Sequence, residues 1–463
     1  MSSERPPRFE RPLRVAVVGS GPAGFFVAAP LLARGALVDL IERLPTPWGL
    51  VRLGVAPDHP EIKSGARVFE KTAKQPGFRF FGNVEIGRDV SPAELAELYD
   101  AVVYTVGAQT DRRMGIPGED LPGSWPATAF VAWYNGHPDF QHLQFDLSGE
   151  RAVVVGNGNV AVDVARMLAL TAEELAPTDT TDAASAAIVG SGLKEVVMLG
   201  RRGPVQAAFT NPELKELGEL AGADVVVDPR DLELDPASEA ALAEDRSSSR
   251  RNLDVLRDYS TRVPAGRPRR LVLRFCVSPV AIVGDGKVEA VEVVRNTLVA
   301  DASGRIRPVA TENRETIPCG IVLRSVGYRG VALPGVPFDE DRGVIPNREG
   351  RVLNADGEPI PGLYCAGWIK RGPSGVIGTN KKDANETVER LLADADAGLL
   401  ERSDDDLEAL LVGRGLPFVE YAGWEAIDAH ERALGEPLGR PRVKLVSWDE
   451  LLGRAASRGA NLD

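Results

Sequence analysis

The chain has 463 residues, 43% of them hydrophobic and 26% charged, enough to bury the cores of two or three ordinary domains. A net charge of −13 excludes general nucleic-acid binding, which needs a basic surface to displace phosphate counterions. Three cysteines, Cys276, Cys319 and Cys365, lie far apart with no CxxC pair; this excludes a cysteine-ligated iron–sulfur centre and a dithiol redox motif and fits a reducing cytoplasm.

The residues up to Arg14 are polar and rich in Arg and Pro, with no apolar run of signal-sequence or membrane-span length, so a cytoplasmic location is expected. Leu13 to Val18 reads as a buried parallel strand, and the turn Gly19-Ser20-Gly21-Pro22-Ala23-Gly24 follows. Phe25 to Arg34 reads as a helix loosened by Pro30, and Ala36 to Ile41 as the next strand. Ser91, Pro92 and Glu94 form a capping box ahead of a helix, and the strand Ala101 to Val106 closes at Gly107.

A second strand–turn–helix begins at Arg151, with strand Ala152 to Val155, turn Gly156 to Ala161 and helix Val162 to Leu170. The Thr/Asp/Ala-rich stretch Thr171 to Ser191 reads as a surface insertion before strand Glu195 to Leu199. Asp228 to Asp245 is acidic and Arg246 to Arg274 basic. Phe275 to Val294 alternates as antiparallel strands around Gly284-Asp285-Gly286, and Ile321 to Val326 is a further strand closed by Gly327. Tyr364 to Ala366 leads into the glycine-rich run Gly367 to Gly378, Lys381 to Leu392 reads as a helix, and the tail beyond Ser403 as helical and acidic.

The two glycine turns carry the chemistry. In GxGxxG the first glycine permits the tight turn, the second lets backbone approach a pyrophosphate, and the third lets the helix pack on the strand. Gly19, Gly21 and Gly24 fit, and Glu42 ends the next strand, where an acid accepts from ribose hydroxyls. Gly156, Gly158 and Ala161 form the second turn, but its next strand ends in Arg201-Arg202. An acid there would repel a 2′-phosphate, whereas two guanidiniums bind it. The pattern predicts an α/β fold with two Rossmann-like domains, FAD in the first and NADP(H) in the second.

Together with these turns, Pro47-Trp48-Gly49-Leu50-Val51-Arg52, Gly54 to Pro60, Arg201-Arg202-Gly203-Pro204, Gly367 to Pro373 and Gly375 to Ala384 make the chain resemble the adrenodoxin-reductase-type ferredoxin–NADP reductases. The resemblance implies a glutathione-reductase-like architecture without the redox disulfide. Residues 1–112 and 328–463 would build the FAD domain, with a C-terminal helical tail, and 113–327 the inserted NADP domain. It implies that Ala23, Glu42, Leu50, Val84 and Trp368 line FAD, with Gly375, Val376 and Ile377 near the flavin. Asn157, Gly158, Asn159, Val160, Arg201, Arg202 and Glu213 would hold NADP, with Gly375 at its nicotinamide end. His59 would pair with Glu216 to orient nicotinamide or manage a proton; a packed structural histidine is the other reading.

The function implied is NADPH:ferredoxin oxidoreductase: hydride passes from NADPH to FAD, and single electrons then pass to a separate iron–sulfur protein. Lys215, Arg250, Arg251 and Arg257 are docking candidates for an acidic ferredoxin, although a solvated charged face reads the same way. A monomer without metal or membrane span is expected. A thioredoxin-reductase-like enzyme would need the absent CxxC. An NADPH-dependent diaphorase or quinone reductase, and a non-catalytic nucleotide-binding redox sensor, share the nucleotide motifs and stay open.

Overall fold

The computed structural model describes residues 11–456 apart from 245–248, 376 and 402, so Val376, expected near the flavin, lies outside the described residues. The strands β1 (Arg14–Val18), β2 (Leu37–Ile41), β3 (Phe78–Phe81) and β4 (Ala101–Tyr104) are parallel neighbours in the order β4-β1-β2-β3. Their apolar runs are buried almost throughout, because layers cover both faces of the sheet. The chain leaves through the two-residue strand β5 (Thr110–Asp111).

A second sheet then forms from β6 (Ser124–Pro126), β7 (Arg151–Val155), β8 (Glu195–Gly200), β9 (Ala223–Val227) and β10 (Arg269–Phe275). Next, β11 (Val277–Val283), β12 (Ala290–Ala300) and β13 (Ile306–Pro318) make an antiparallel ribbon; its long third strand was not anticipated from the sequence. The strand β14 (Ile321–Arg324) returns to give the parallel order β6-β14-β7-β8-β10-β9. Then β15 (Tyr328–Arg329) pairs antiparallel with β5, so the outgoing and returning crossovers lie side by side. Finally β16 (Asn347–Arg348), β17 (Arg351–Leu353) and β18 (Pro359–Cys365) extend the first sheet beside β4.

The helix Pro22–Leu32 continues through Pro30 and packs on the later helix Thr379–Asp396, Phe25, Val27 and Leu31 sharing one core with Ala384, Val388 and Leu391. The chain's two ends are thus joined by apolar burial on one face of the first sheet. The capping box forms as expected: Ser91 Oγ accepts from Glu94 N–H at 3.2 Å, and the Glu94 carboxylate accepts from Ser91 N–H at 2.8 Å.

The stretch Thr171 to Ser191 corrects the expectation of a surface insertion. It folds into helices Ala172–Leu175 and Asp182–Val189, and Thr178, Asp179, Thr180 and Thr181 are buried. Composition suggested solvation because the residues are polar, but their polar groups are satisfied internally. Thr178 and Thr180 hydroxyls lie 2.7 Å apart, Asp179 accepts from Lys63 Nζ at 2.6 Å, and Lys444 Nζ sits 3.2 Å from the other carboxylate oxygen. Asn135 Oδ1 accepts from both lysines, at 3.2 and 3.3 Å. Nearby, Arg52 grips the buried Glu431 with two hydrogen bonds of 2.8 and 2.6 Å.

Burial pulls both ammoniums below their ordinary range. It works against the Asp179 carboxylate too, but Lys444 and Lys63 hold that group well below the carboxylate range. Asp179→Asn would leave two cations buried without their counter-ion and is expected to lower unfolding free energy by about 3 kcal/mol. Urea melts of wild type and variant measure the difference, and superimposable curves would remove the joint's structural role.

Candidate functional site

The two glycine turns sit in matching places, each at the end of the middle strand of three parallel neighbours. Gly19 N–H donates to Ile41 O at 2.8 Å while Thr105 N–H donates to Val18 O at 2.7 Å. In the second sheet Gly156 N–H donates to Leu199 O at 2.9 Å and Ser325 N–H to Val155 O at 2.7 Å. This seating leaves no room for side chains. A Cβ at Gly19, where φ is +103°, would lie 2.8 Å from Thr105 O, and one at Gly156, where φ is +139°, 2.2 Å from Ser325 O. A Cβ at Gly24 would lie 2.2 Å from Gly19 O, whereas Ala161 fits buried at the matching position of the second turn.

The second glycines behave differently. No heavy atom lies within 4 Å of a Cβ at Gly21, and Gly158 meets only Ala208 Cβ at 3.9 Å. Both residues cap 11-residue helices, Pro22–Leu32 and Asn159–Ala169, with no side-chain cap. Each turn therefore combines an open approach to bare backbone with first-turn N–H groups no capping side chain claims, a combination suited to a pyrophosphate. Around the second turn, Asn159 Oδ1 accepts from Thr210 N–H at 2.8 Å, Val160 is half-buried, and the buried Asn157 Nδ2 has no hydrogen-bond partner among the described residues.

The strand ends differ in charge as the sequence suggests. The Glu42 carboxylate accepts from Ser20 N–H at 3.0 Å, Ser20 Oγ at 2.7 Å and Leu44 N–H at 3.1 Å, which fixes it beside the first turn. Val84 is buried there, its N–H donating to Glu42 O at 2.9 Å. At the second unit Arg201 is exposed and Arg202 half-buried, and neither forms an ion pair with a carboxylate of the described residues. Burial, with Arg201 as the next cause, lowers the Arg202 guanidinium from its ordinary value. The turn is braced from the ribbon: Asn296 Nδ2 donates to Arg201 O at 2.8 Å and Cys276 N–H to Arg202 O at 3.0 Å.

Two distant segments close around the first turn. Trp48 N–H donates to Ser20 O at 3.1 Å, and a Cβ at Gly49 would lie 2.8 Å from Gly21 Cα, so the loop leading to the exposed Leu50 rests on the turn. From the C-terminal half, a Cβ at Gly367 would lie 2.6 Å from Ala23 Cβ. The half-buried Trp368 donates its indole N–H to Ser374 O at 3.2 Å and stands 5.2 Å from the Tyr328 ring. Gly375 is exposed at φ +80°, and Ile377 packs partly into the shared core.

His59 is buried, with Nε2 2.7 Å from Glu216 Oε2 and 3.9 Å from Glu213 Oε2. Glu213, expected on NADP, thus stands in this cluster. Arg166, buried in the helix Asn159–Ala169, binds four carboxylates: Asp58 and Asp163 at 2.8 Å, Glu216 at 2.9 Å and Glu213 at 3.3 Å. Burial works against its charge, but Asp163 and Asp58 raise the guanidinium well above its usual value. Burial pushes the Asp163 carboxyl up to about 7 against the pull of Arg166. His59, Glu213 and Glu216 are close enough to hold a cation, and Arg166 already supplies positive charge between them. Sequence reading missed Arg166 and Asp163; their spacing of three along one helix was the available signal.

Lys215, Arg250, Arg251 and Arg257 are all exposed. The helices that carry them are tied together by Tyr259 Oη donating to Leu214 O at 2.8 Å and Asn211 Nδ2 to Asn252 Oδ1 at 3.0 Å.

Known proteins share the sequence and the fold of this chain. A family model described as pyridine nucleotide-disulphide oxidoreductase matches residues 13–209. The chain is 53% identical over 457 residues to NADPH-ferredoxin reductase FprA of Mycobacterium tuberculosis, covering 96% of this chain and 99% of that protein. It is 44% identical over 459 residues to human mitochondrial NADPH:adrenodoxin oxidoreductase, covering 96% of this chain and 92% of that one. The solved structure of Mycobacterium tuberculosis FprA in complex with NADPH superposes with a TM-score of 0.91 at 52% identity, covering 96% of this chain and 100% of that chain.

The glycine geometry yields a paired expectation. Gly21→Ala has room for its methyl and an ordinary φ, so it should fold like wild type yet bind FAD at least about tenfold more weakly. Gly24→Ala forces a methyl onto Gly19 O and should lower Tm as well. Thermal melts of the flavin-free proteins and FAD titration separate the two effects.

Proposed function

The chain belongs to the adrenodoxin-reductase-type ferredoxin–NADP reductases, and from that premise we propose the division of labour among its residues. It is an FAD-dependent oxidoreductase that moves electrons from NADPH to a small iron–sulfur protein. The observation that carries the assignment of sites is the pair of like-built glycine turns with unlike strand ends, Glu42 at one and Arg201-Arg202 at the other. The first turn fits FAD: Glu42, fixed by Ser20 and Leu44, is poised to accept from ribose hydroxyls, and Gly21 lets a pyrophosphate approach the backbone. The second fits NADP, with Gly158 at the pyrophosphate and the two arginines at the 2′-phosphate.

Residues 1–112 and 328–463 are assigned to the FAD domain and 113–327 to the NADP domain. The adjacent crossovers at β5 and β15, and the return of β18 to the first sheet, support those limits. When bound, FAD accepts a hydride from NADPH and gives up electrons one at a time. Trp368, braced by Ser374 and Tyr328, is assigned to the flavin, and Gly375 to the meeting point of flavin and nicotinamide. His59 is assigned, with Glu216, to holding or releasing a proton at Nε2; Arg166 fixes the orientation of that carboxylate. Lys215 with Arg250, Arg251 and Arg257 is assigned to docking an acidic ferredoxin. No helix among the described residues is long and apolar enough to cross a membrane, and the proposed location is the cytoplasm, with the chain acting as a monomer.

Two measurements test this reading. Replacing Arg201 and Arg202 together with Gln should cut the ratio of kcat/KM for NADPH over NADH by roughly 100-fold, since charge-assisted hydrogen bonds to the phosphate are lost. An unchanged ratio would move the phosphate site elsewhere. NADPH-driven cytochrome c reduction should rise severalfold when ferredoxin is added. A rate insensitive to every ferredoxin tried would point to a diaphorase or quinone reductase.

A further inference from the structure

The arginine turn does not stand alone. A cavity of about 570 Å³ opens beside it, lined by Arg201, Arg202 and Gln206 of the turn region and by Gly304, Arg305 and Arg307. The second group is the tip of the hairpin joining β12 to β13, so it comes from the antiparallel ribbon and not from the parallel sheet. The cavity mouth thus gathers four guanidiniums from two unconnected elements.

The hairpin tip is built to present one of them. The Asp301 carboxylate accepts from Ser303 N–H at 2.9 Å, Ser303 Oγ at 2.6 Å and Arg305 N–H at 3.0 Å, which fixes the turn. It also accepts from Arg307 Nε at 2.8 Å, so the charge of Arg307 is already balanced. Arg305 donates Nε to Ser303 Oγ at 3.0 Å, is exposed, and forms no ion pair with a carboxylate of the described residues. A neutral hydroxyl orients it, and among the described residues its terminal nitrogens have no carboxylate partner. The same ribbon also braces the Arg201 turn, since Asn296 on β12 donates its Nδ2 to Arg201 O at 2.8 Å. Like charges held across a cavity repel one another unless an anion enters between them.

We propose that Arg305 is a third coenzyme-selecting residue, gripping the 2′-phosphate end of NADP together with Arg201 and Arg202. This rests on the assignment of NADP to the second turn and extends it to an element outside the dinucleotide fold. The ribbon then has a role in the site: it carries one phosphate ligand at its tip and braces the turn that carries the other two.

Arg305→Gln tests it, with 2′,5′-ADP and 5′-AMP as probes that differ by the 2′-phosphate and need no turnover. Binding is read by titration calorimetry on the flavin-loaded protein. The expected result is roughly tenfold weaker binding of 2′,5′-ADP with 5′-AMP binding unaltered. Arg307→Gln, which removes an arginine already paired with Asp301, should weaken 2′,5′-ADP less. Equal weakening of both probes, or no change in either, overturns the proposal. If wild type itself fails to prefer 2′,5′-ADP, the assignment of the second turn falls with it. If wild type prefers it, the Arg201/Arg202 double variant does not, and Arg305→Gln still does, this inference alone fails.

Discussion

The molecule is organised by two places where a side chain cannot exist. At Gly19 and Gly156 the chain turns off a central strand so tightly that a Cβ would press on the carbonyl of the neighbouring strand's end, Thr105 in one sheet and Ser325 in the other. Because both glycines are also bonded to the strand on their other side, through Ile41 O and Leu199 O, each turn is locked among three strand ends. A helix leaves each lock with its N-terminus directed at the crevice where strand order reverses, the place an open parallel sheet offers to a ligand. The shape of both turns is thus a consequence of strand pairing, and the lock leaves open space at Gly21 and Gly158.

Charge is used in two opposed ways. In the interior it is balanced in dense clusters: Arg166 among Asp58, Asp163, Glu213 and Glu216, Asp179 between Lys63 and Lys444, and Arg52 on Glu431. Buried charges of this kind contribute little net stability, but losing one partner is costly, so they fix how the pieces fit together. At the cavity beside the second turn the reverse holds, and among the described residues no carboxylate pairs with Arg201, Arg202 or Arg305. Unbalanced positive charge there favours a ligand that brings its own negative charge.

The Arg166 cluster also links the units. Asp58 and His59 precede the helix Pro60–Lys63 near the first sheet, while Asp163, Arg166, Glu213 and Glu216 belong to the second unit. The His59–Glu216 contact is therefore a contact between the two nucleotide-binding units, at 2.7 Å. A pair built across that boundary depends on both units being in place.

Local rules were enough for the parallel strands, both glycine turns, the capping box at Ser91 and the opposite charges at Glu42 and Arg201-Arg202. Each depends on residues close in sequence: β-branched runs, φ requirements, cap geometry and the residue ending a strand. Extended contacts decided the rest. Thr171 to Ser191 looked solvated because its residues are polar, but its segment Thr178 to Thr181 is buried, because Lys63 and Lys444, more than a hundred residues away on either side, bring the charges that Asp179 needs. Arg166 looked like an ordinary helix residue until folding set Asp58 and Glu216 around it. Arg305 gave no local signal, since only the return of the β12–β13 ribbon brings it into one cavity with Arg201. A sequence specifies what each short segment can form; which charges meet is fixed by chain closure, and no local pattern encodes it.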